Sequence, residues 1–316
     1  MDGKKGRNIK LINLLFIAPK TSSLLDKNYY FLENELKKIT NLTLFRNSGR
    51  INEILNKIKT KPDFILLLND IGDQMFPLIK GLSSVDIPIG LLINDVHRFK
   101  ETRRHYIRKS SIPYLFSVTR KKFCEIYPEY TNKVEWFPHF VNTEVCKDYG
   151  LKKTINLLMM GAVNDFYPLR QKILQDYKES TDFIYHSHPG YREFSKEEEK
   201  QLYIGKKYAK EINKSKIFFT CPSVFEYPVK KYFQALACKS LLLAPTFKEL
   251  EDLGFIPGIH FVAINENNFK DKAAYYLTNV NDREQITEQG YQFVHQNHSL
   301  QFRAQQLVER IEAILS

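Results

Sequence analysis

One pattern governs what this chain can fold into: strand-length runs made almost wholly of apolar residues alternate with segments of helical periodicity. KLINLLFIA, KPDFILLLND, IPIGLLIND, IPYLFSVT and KVEWFPHF follow one another, with FLENELKKI after the first. A polar stretch at 147–153 interrupts them, and the pattern then restarts with TINLLMMGAV, TDFIYHSH, KIFFT and SLLLAP. Between these lie YPLRQKILQDYK and SKEEEKQLYIGKKYAKEI, both of helical character. Continuous apolar strands suit a sheet buried on both faces, and strands alternating with helices make that sheet parallel. The 316 residues suit two domains of about 150 each. The expectation is α/β: two doubly wound, Rossmann-like domains, residues 1–146 and 147–292, facing across a cleft. Residues 293–316 would form a helix packing back toward the first domain.

In open parallel sheets the ligand sits beyond the carboxyl ends of the strands, so the informative loops are those that follow strands. Three stand out: 161–170, 186–191 and 221–231. The third belongs to CPSVFEYPVKKYFQALACKSLLLAP. At 100° per residue, Val229, Phe233, Leu236, Ala237 and Ser240 form an apolar stripe, and Lys231, Gln234 and Cys238 share another side. Pro228 suits the first helical position, close behind Glu226. Free backbone N–H groups, the helix dipole and Lys231 then make this end a complement for phosphate. Glu226 would accept hydrogen bonds from sugar hydroxyls, or simply cap the helix.

The formal charge is +11, and residues 1–150 carry 25 Lys+Arg against 16 Asp+Glu, so most of it lies in the first half. HRFKETRRHYIRK holds six Arg and Lys between 98 and 109 against one Glu. Such a surface favours an anionic acceptor or an acidic membrane, or it is a solvated helix face. No nucleic-acid recognition motif accompanies it, so nucleic acid is not the expected partner. Cys124, Cys146, Cys221 and Cys238 show neither a CxxC pair nor zinc-finger spacing, which reads as reduced thiols in a cytoplasmic protein. The start, KKGRNIKLINLLFIAPK, imitates a signal peptide, but Lys10 and Asn13 interrupt its apolar run and alternation suits a first strand.

The run from KKYFQALACKSLLLAPTFKELEDLGFIPGIHFV through YYL to the terminal His298, Arg303 and Ala304 resembles the C-terminal half of group 1 glycosyltransferases, particularly the spore-maturation (CgeB-like) branch. WFPHFVN and LLMMGAVNDFYPLR resemble the same branch, whereas the first 130 residues match only loosely. The resemblance implies a GT-B fold whose second domain holds a nucleotide-diphosphate-sugar donor, with UDP as the expected nucleotide. Many retaining members carry a glutamate, seven residues, and a second glutamate. Glu226 matches the first, near the donor sugar, while Gln234 stands at the second, on the ribose, and Lys239 replaces the usual glycine. Glutamine keeps an acceptor oxygen but loses the charge-assisted bond. Lys231 stands at the branch's basic position, a diphosphate contact. Arg170 would reach the same phosphates, or be a solvated helix residue, and Gly161 would let the backbone approach them.

No Asp-x-Asp occurs, so the donor diphosphate is expected to be neutralised without metal, and no cofactor is implied. His188 is placed with the donor site. His186 and His188 alone lack a third metal ligand. In the first domain, Asp95 and His97 follow a strand in NDVHRF and should point into the cleft, to orient the acceptor or act as general base. His139 in FPHFVN sits at the domain junction. The reading is a metal-independent glycosyltransferase, leaning to retention, with a sugar, glycan, lipid-linked or protein acceptor. A GT-B sugar-nucleotide epimerase and a non-catalytic nucleotide-binding protein are the alternatives.

Overall fold

The computed structural model describes residues 11–316; the basic start of the chain, Lys4 to Lys10, lies outside the described residues. In the first half the strands are β1 Asn13–Ile17, β2 Asn41–Phe45, β3 Gly49–Arg50, β4 Phe64–Leu68, β5 Ile79–Lys80, β6 Ile89–Ile93, β7 Tyr114–Ser117 and β8 Val134–Trp136. In the second they are β9 Ile155–Gly161, β10 Phe183–Ser187, β11 Ser215–Phe219, β12 Leu241–Ala244 and β13 Val262–Ala263.

They build two parallel sheets, ordered β2-β1-β4-β6-β7-β8 and β10-β9-β11-β12-β13, with β3 and β5 forming a small parallel pair apart. Every residue of FILLL in β4 and IGLLI in β6 is buried, the signature of central strands covered on both faces. Edge strand β10 is by contrast only partly covered. In the first sheet the chain goes from β1 to β2 on one side and to β4 on the other. In the second, β9 is flanked by β10 and β11 in the same way. Each sheet thus has a topological switch point where two post-strand loops diverge and leave a crevice.

Two apolar clusters cover the faces of each sheet. Leu14, Phe16, Leu66 and Phe116 pack on one face of the first sheet, Leu15, Ile65 and Leu91 on the other. Leu158, Phe218 and Leu242 face one way in the second sheet, and Leu157, Phe219 and Leu243 the other. The helix Leu300–Leu315 begins where Ser299 Oγ accepts the Phe302 N–H, and buries Leu300, Leu307, Val308 and Ile311 against the first sheet's Leu14 and Phe16. Each such aliphatic side chain contributes about 1.5–3 kcal/mol, so the terminal helix is part of the first core. The boundary drawn at 292–293 falls inside the helix Val280–Asn297. The return crossing lies at His298–Ser299 instead, because there the strand-like partner Val141 takes over the hydrogen bonding. Val141 N–H donates to His298 O at 3.0 Å, and Leu300 N–H to Val141 O at 2.8 Å. Both connections between the halves therefore run side by side.

Candidate functional site

The second sheet's switch point carries the densest set of predicted residues. Gly161 ends β9 at φ 124°, and a Cβ there would lie 2.6 Å from Lys231 Cε, 3.0 Å from its Nζ and 3.5 Å from Arg170 Nη1. Two cationic side chains therefore lie over a bare glycine, and a larger residue there would adopt a strained backbone and push Lys231 aside. Tyr185 OH donates to Gly161 O at 2.9 Å and steadies the strand end.

Arg170 is buried, not the solvated helix residue of the alternative reading. It donates to Ala162 O at 3.1 Å, Thr220 Oγ1 at 2.9 Å and Cys221 O at 3.2 Å, and its guanidinium lies 3.9 Å from the Tyr167 ring centroid. Those partners belong to the loops after β9 and β11, so Arg170 ties together the two walls of the crevice. Its Nε is buried without a partner among the described residues. Half-buried Lys231 is pushed down to about 7 by burial first, then by Arg170 and Lys230. Neither Lys231 nor Arg170 has a carboxylate within ion-pair distance among the described residues. Two uncompensated cations in a partly dry crevice cost free energy that an anion would recover.

The helix differs in detail from the expectation. It spans Lys230–Ala237 with Val229 as N-cap in extended conformation, so Pro228 stands outside it and not at its first position. Glu226 does not cap it. It sits exposed in the loop at φ 53°, where it forms no ion pair with Lys231 or Arg170 among the described residues, and receives Lys121 Nζ of the first domain at 3.4 Å. Phe233, Leu236 and Ala237 bury as the stripe requires, but Cys238 is wholly buried too, leaving Lys231 and Gln234 as the polar face. Gln234 Oε1 accepts from Tyr208 OH at 3.2 Å, which leaves its amide N–H groups free to donate. Lys239 is held by Asp148 at 3.2 Å and Glu288 at 3.1 Å, away from the crevice.

The histidines separate. His188 lies beside Lys231 and Arg170; burial and then these cations push its imidazole down to about 4, so it is neutral and its Nδ1 accepts the Gly190 N–H at 3.0 Å. His186 instead pairs with Glu211 at 3.2 Å and lies against Tyr203. His139 is neutral in the connecting segment, lowered to about 4 by burial and Arg303.

Asp95 and His97 follow β6, at the carboxyl edge of the first sheet. The His97 ring stacks on Phe225 of the second domain at 4.4 Å between centroids, and Phe225 lies 5.9 Å from Phe166. His97 is lowered by burial, Arg98, Arg103 and Lys100, and its Nδ1 is buried without a partner among the described residues. Asp95 is pushed up to about 6 by burial and Asp70, against the opposing pull of Arg98 and Arg103. These residues face the second domain's post-strand loops from the opposite wall.

The basic stretch at 98–109 is not one anionic-ligand surface. Arg103 is fully buried and paired with Asp70 at 2.8 Å, and Arg104 is held by Glu101 and Glu129. Lys100, Arg108 and Lys109 are the exposed cations that remain. Contacts of long sequence separation, which no local pattern signals, close the cleft. Glu249 accepts from Thr119 Oγ1 at 2.8 Å and from the Arg120 N–H at 2.5 Å; Lys230 pairs with Asp26, and Lys27 with Glu199 at 2.5 Å.

The likeness to known proteins agrees with this geometry. Residues 170–309 match the sequence model of a family described as glycosyl transferase-like. No curated protein matches the chain in sequence. A sucrose-phosphate synthase from Thermosynechococcus elongatus superposes with TM-score 0.65 at 9% identity, over 96% of this chain and 99% of its own. HepE from Anabaena, solved with UDP and glucose, gives 0.61 at 8% identity, over 96% and 100%. A glycosyltransferase from Rickettsia africae gives 0.60 at 11%, over 97% and 99%. At these identities the likeness is one of fold, and the fold is GT-B.

Proposed function

We propose that the protein is a GT-B glycosyltransferase that takes its sugar from a nucleotide-diphosphate-sugar, a UDP-sugar foremost, and moves it to an acceptor hydroxyl in the cleft. The observation that carries the reading is the pair Lys231 and Arg170 over Gly161, at the switch point of the second sheet, with no carboxylate among the described residues to balance them. A diphosphate supplies that balance without a metal, helped by the N–H groups opening the helix at Lys230. Gln234, fixed by Tyr208, offers its amide donors to a ribose hydroxyl. Neutral His188 borders the same crevice, and Glu226 stands on the sugar side.

Asp95 and His97 meet the acceptor from the opposite wall. In transfer the acceptor oxygen forms its bond to the anomeric carbon, the bond to the diphosphate breaks, and the hydroxyl proton leaves to a nearby base. Closure by Glu249 keeps water from taking the acceptor's place. The partial glutamate pattern of Glu226 and Gln234 favours retention. Within the glycosyl transferase-like family we assign the chain to the spore-maturation (CgeB-like) branch. Reaction with a nucleotide sugar and four free cysteines suit the cytoplasm. Lys100, Arg108 and Lys109 suit an anionic acceptor or an acidic membrane face.

Calorimetric titration with UDP, UDP-glucose and UDP-N-acetylglucosamine tests the donor site. UDP binding that weakens on Lys231→Ala supports it, and a chain that binds no nucleoside diphosphate overturns it. Interconversion of a UDP-sugar without any acceptor would put an epimerase in the transferase's place. Binding with no turnover of either kind would leave a non-catalytic binding protein.

A further inference from the structure

The first sheet holds a buried ion pair that bracing alone does not explain. Asp70 follows β4, Arg103 lies on the helix Lys100–Lys109, and neither exposes more than 1% of its side chain. Asp70 Oδ2 accepts three bonds: from the Asn94 N–H at 2.8 Å, the Asp95 N–H at 3.1 Å and Arg103 Nη2 at 2.8 Å. Arg103 Nη1 in turn reaches Val96 O, Arg98 O and Tyr127 OH, so the pair grips the Asn94–Arg98 turn from both ends. We propose that Asp70 is a positioning residue for the acceptor side: balanced by Arg103, its carboxylate fixes the turn that presents Asp95 and His97 to the second domain, and its charge acts on Asp95. The inference rests on the reading that Asp95 meets the acceptor hydroxyl.

Taking two charges out of water is costly, and a neutral pair, asparagine at 70 with glutamine at 103, would accept the same two backbone N–H groups without that cost. A retained charge therefore points to something the charge acts upon. Asp95 is the adjacent titratable group on the open side. The groups that face it are His97 and Arg98 of its own turn, the latter at 3.8 Å, and Asp70 and Arg103 behind it. Tyr29 reaches in from the helix Asn28–Ile39, its hydroxyl donating to Asn94 Oδ1 at 3.2 Å, and Tyr167, Tyr191 and Tyr227 face it from the second domain. Of the charged neighbours Asp70 acts most strongly, and it raises the Asp95 carboxyl. An acceptor-facing carboxylate poised near 6 is ionised at neutral pH yet a better proton acceptor than an ordinary aspartate.

The test is Asp70→Asn, read by titrating the Asp95 side-chain carboxyl with ¹³C NMR on aspartate-labelled full-length protein, the resonance being assigned by its loss in Asp95→Asn. The wild-type midpoint is expected near 6, and Asp70→Asn is expected to lower it by roughly one unit or more, the scale of a nearby charge in a partly buried site. A purely structural brace predicts a folded variant whose midpoint stays near 6, and that result overturns the proposal. Should Asp70→Asn fail to fold because Arg103 is left unpaired, the double variant Asp70→Asn with Arg103→Gln carries the same test. Its midpoint should still fall, because Asp70 outweighs Arg103 at Asp95. No nucleotide enters the measurement, so its failure is separate from failure of the donor site. If the midpoint falls as expected but Asp95→Asn leaves transfer intact, the coupling stands and the acceptor role of Asp95 is what fails.

Discussion

If Lys231 is the diphosphate's partner, binding must be linked to protons, because its ammonium is held down to about 7 in the free protein by burial, Arg170 and Lys230. The negative charge of a bound diphosphate outweighs these influences and returns the side chain toward its ordinary value of 10.5. The sign follows: the free protein loses the Lys231 proton as pH rises through 7, the complex keeps it, so affinity falls with rising pH and binding takes up a proton. Between pH 7 and pH 9 the charged fraction of free Lys231 drops from about one half to about one in a hundred. UDP affinity should fall roughly fifty-fold, or about 2 kcal/mol. The nucleotide's own phosphate ionisation, near pH 6, is nearly complete across that window. Calorimetry at pH 8 in two buffers of different ionisation enthalpy should return an uptake of about 0.9 proton. Lys231→Met should bind more weakly at pH 7, and its affinity should stay flat up to pH 9. Wild-type affinity equal at pH 7 and pH 9, with no proton uptake, would refute the assignment of Lys231.

Gly161→Ala should keep the fold yet lose UDP affinity by about tenfold or more, because the added methyl at φ 124° would stand 2.6 Å from Lys231 Cε and displace it; thermal unfolding and calorimetry together check both halves. Lys231→Ala should cost about 1.5–3 kcal/mol of UDP binding and Gln234→Ala only about 1 kcal/mol, since one bond is charged and the other neutral; a reversed order in calorimetry would remove the ribose assignment of Gln234. Glu249→Ala removes the acceptor of both the Thr119 hydroxyl and the Arg120 N–H, so the cleft should open and small-angle scattering should give a larger radius of gyration than wild type; an unchanged radius would show that the remaining contacts suffice for closure.

Much of the fold was legible because burial on both faces writes itself as uninterrupted apolar runs: FILLL and IGLLI became central strands β4 and β6. The two-residue pair β3 and β5 is too short to leave any periodicity. The start of the helix at Lys230 was misplaced because Pro228 is compatible with a first helical turn but equally with the extended segment that precedes one, and extended Val229 decides the matter. Gly161, Lys231 and Arg170 lie together because one post-strand loop and one helix end deliver them at fixed spacing, which a sequence displays. Asp70 was present in plain view, after the apolar run of KPDFILLLND, but nothing local ties it to Arg103, 33 residues on.

The same limit applies more strongly to the cleft. Thr119 and Glu249 are 130 residues apart, Lys121 and Glu226 are 105 apart, and each pair joins the first domain to the second. Glu226, in the loop after β11, is therefore engaged by Lys121 of the first half, and the ring of His97 by Phe225 of the second. Each wall is completed by a group from the other. Phe225 and His97, stacked with 4.4 Å between centroids, bring the loop after β11 directly against the loop after β6.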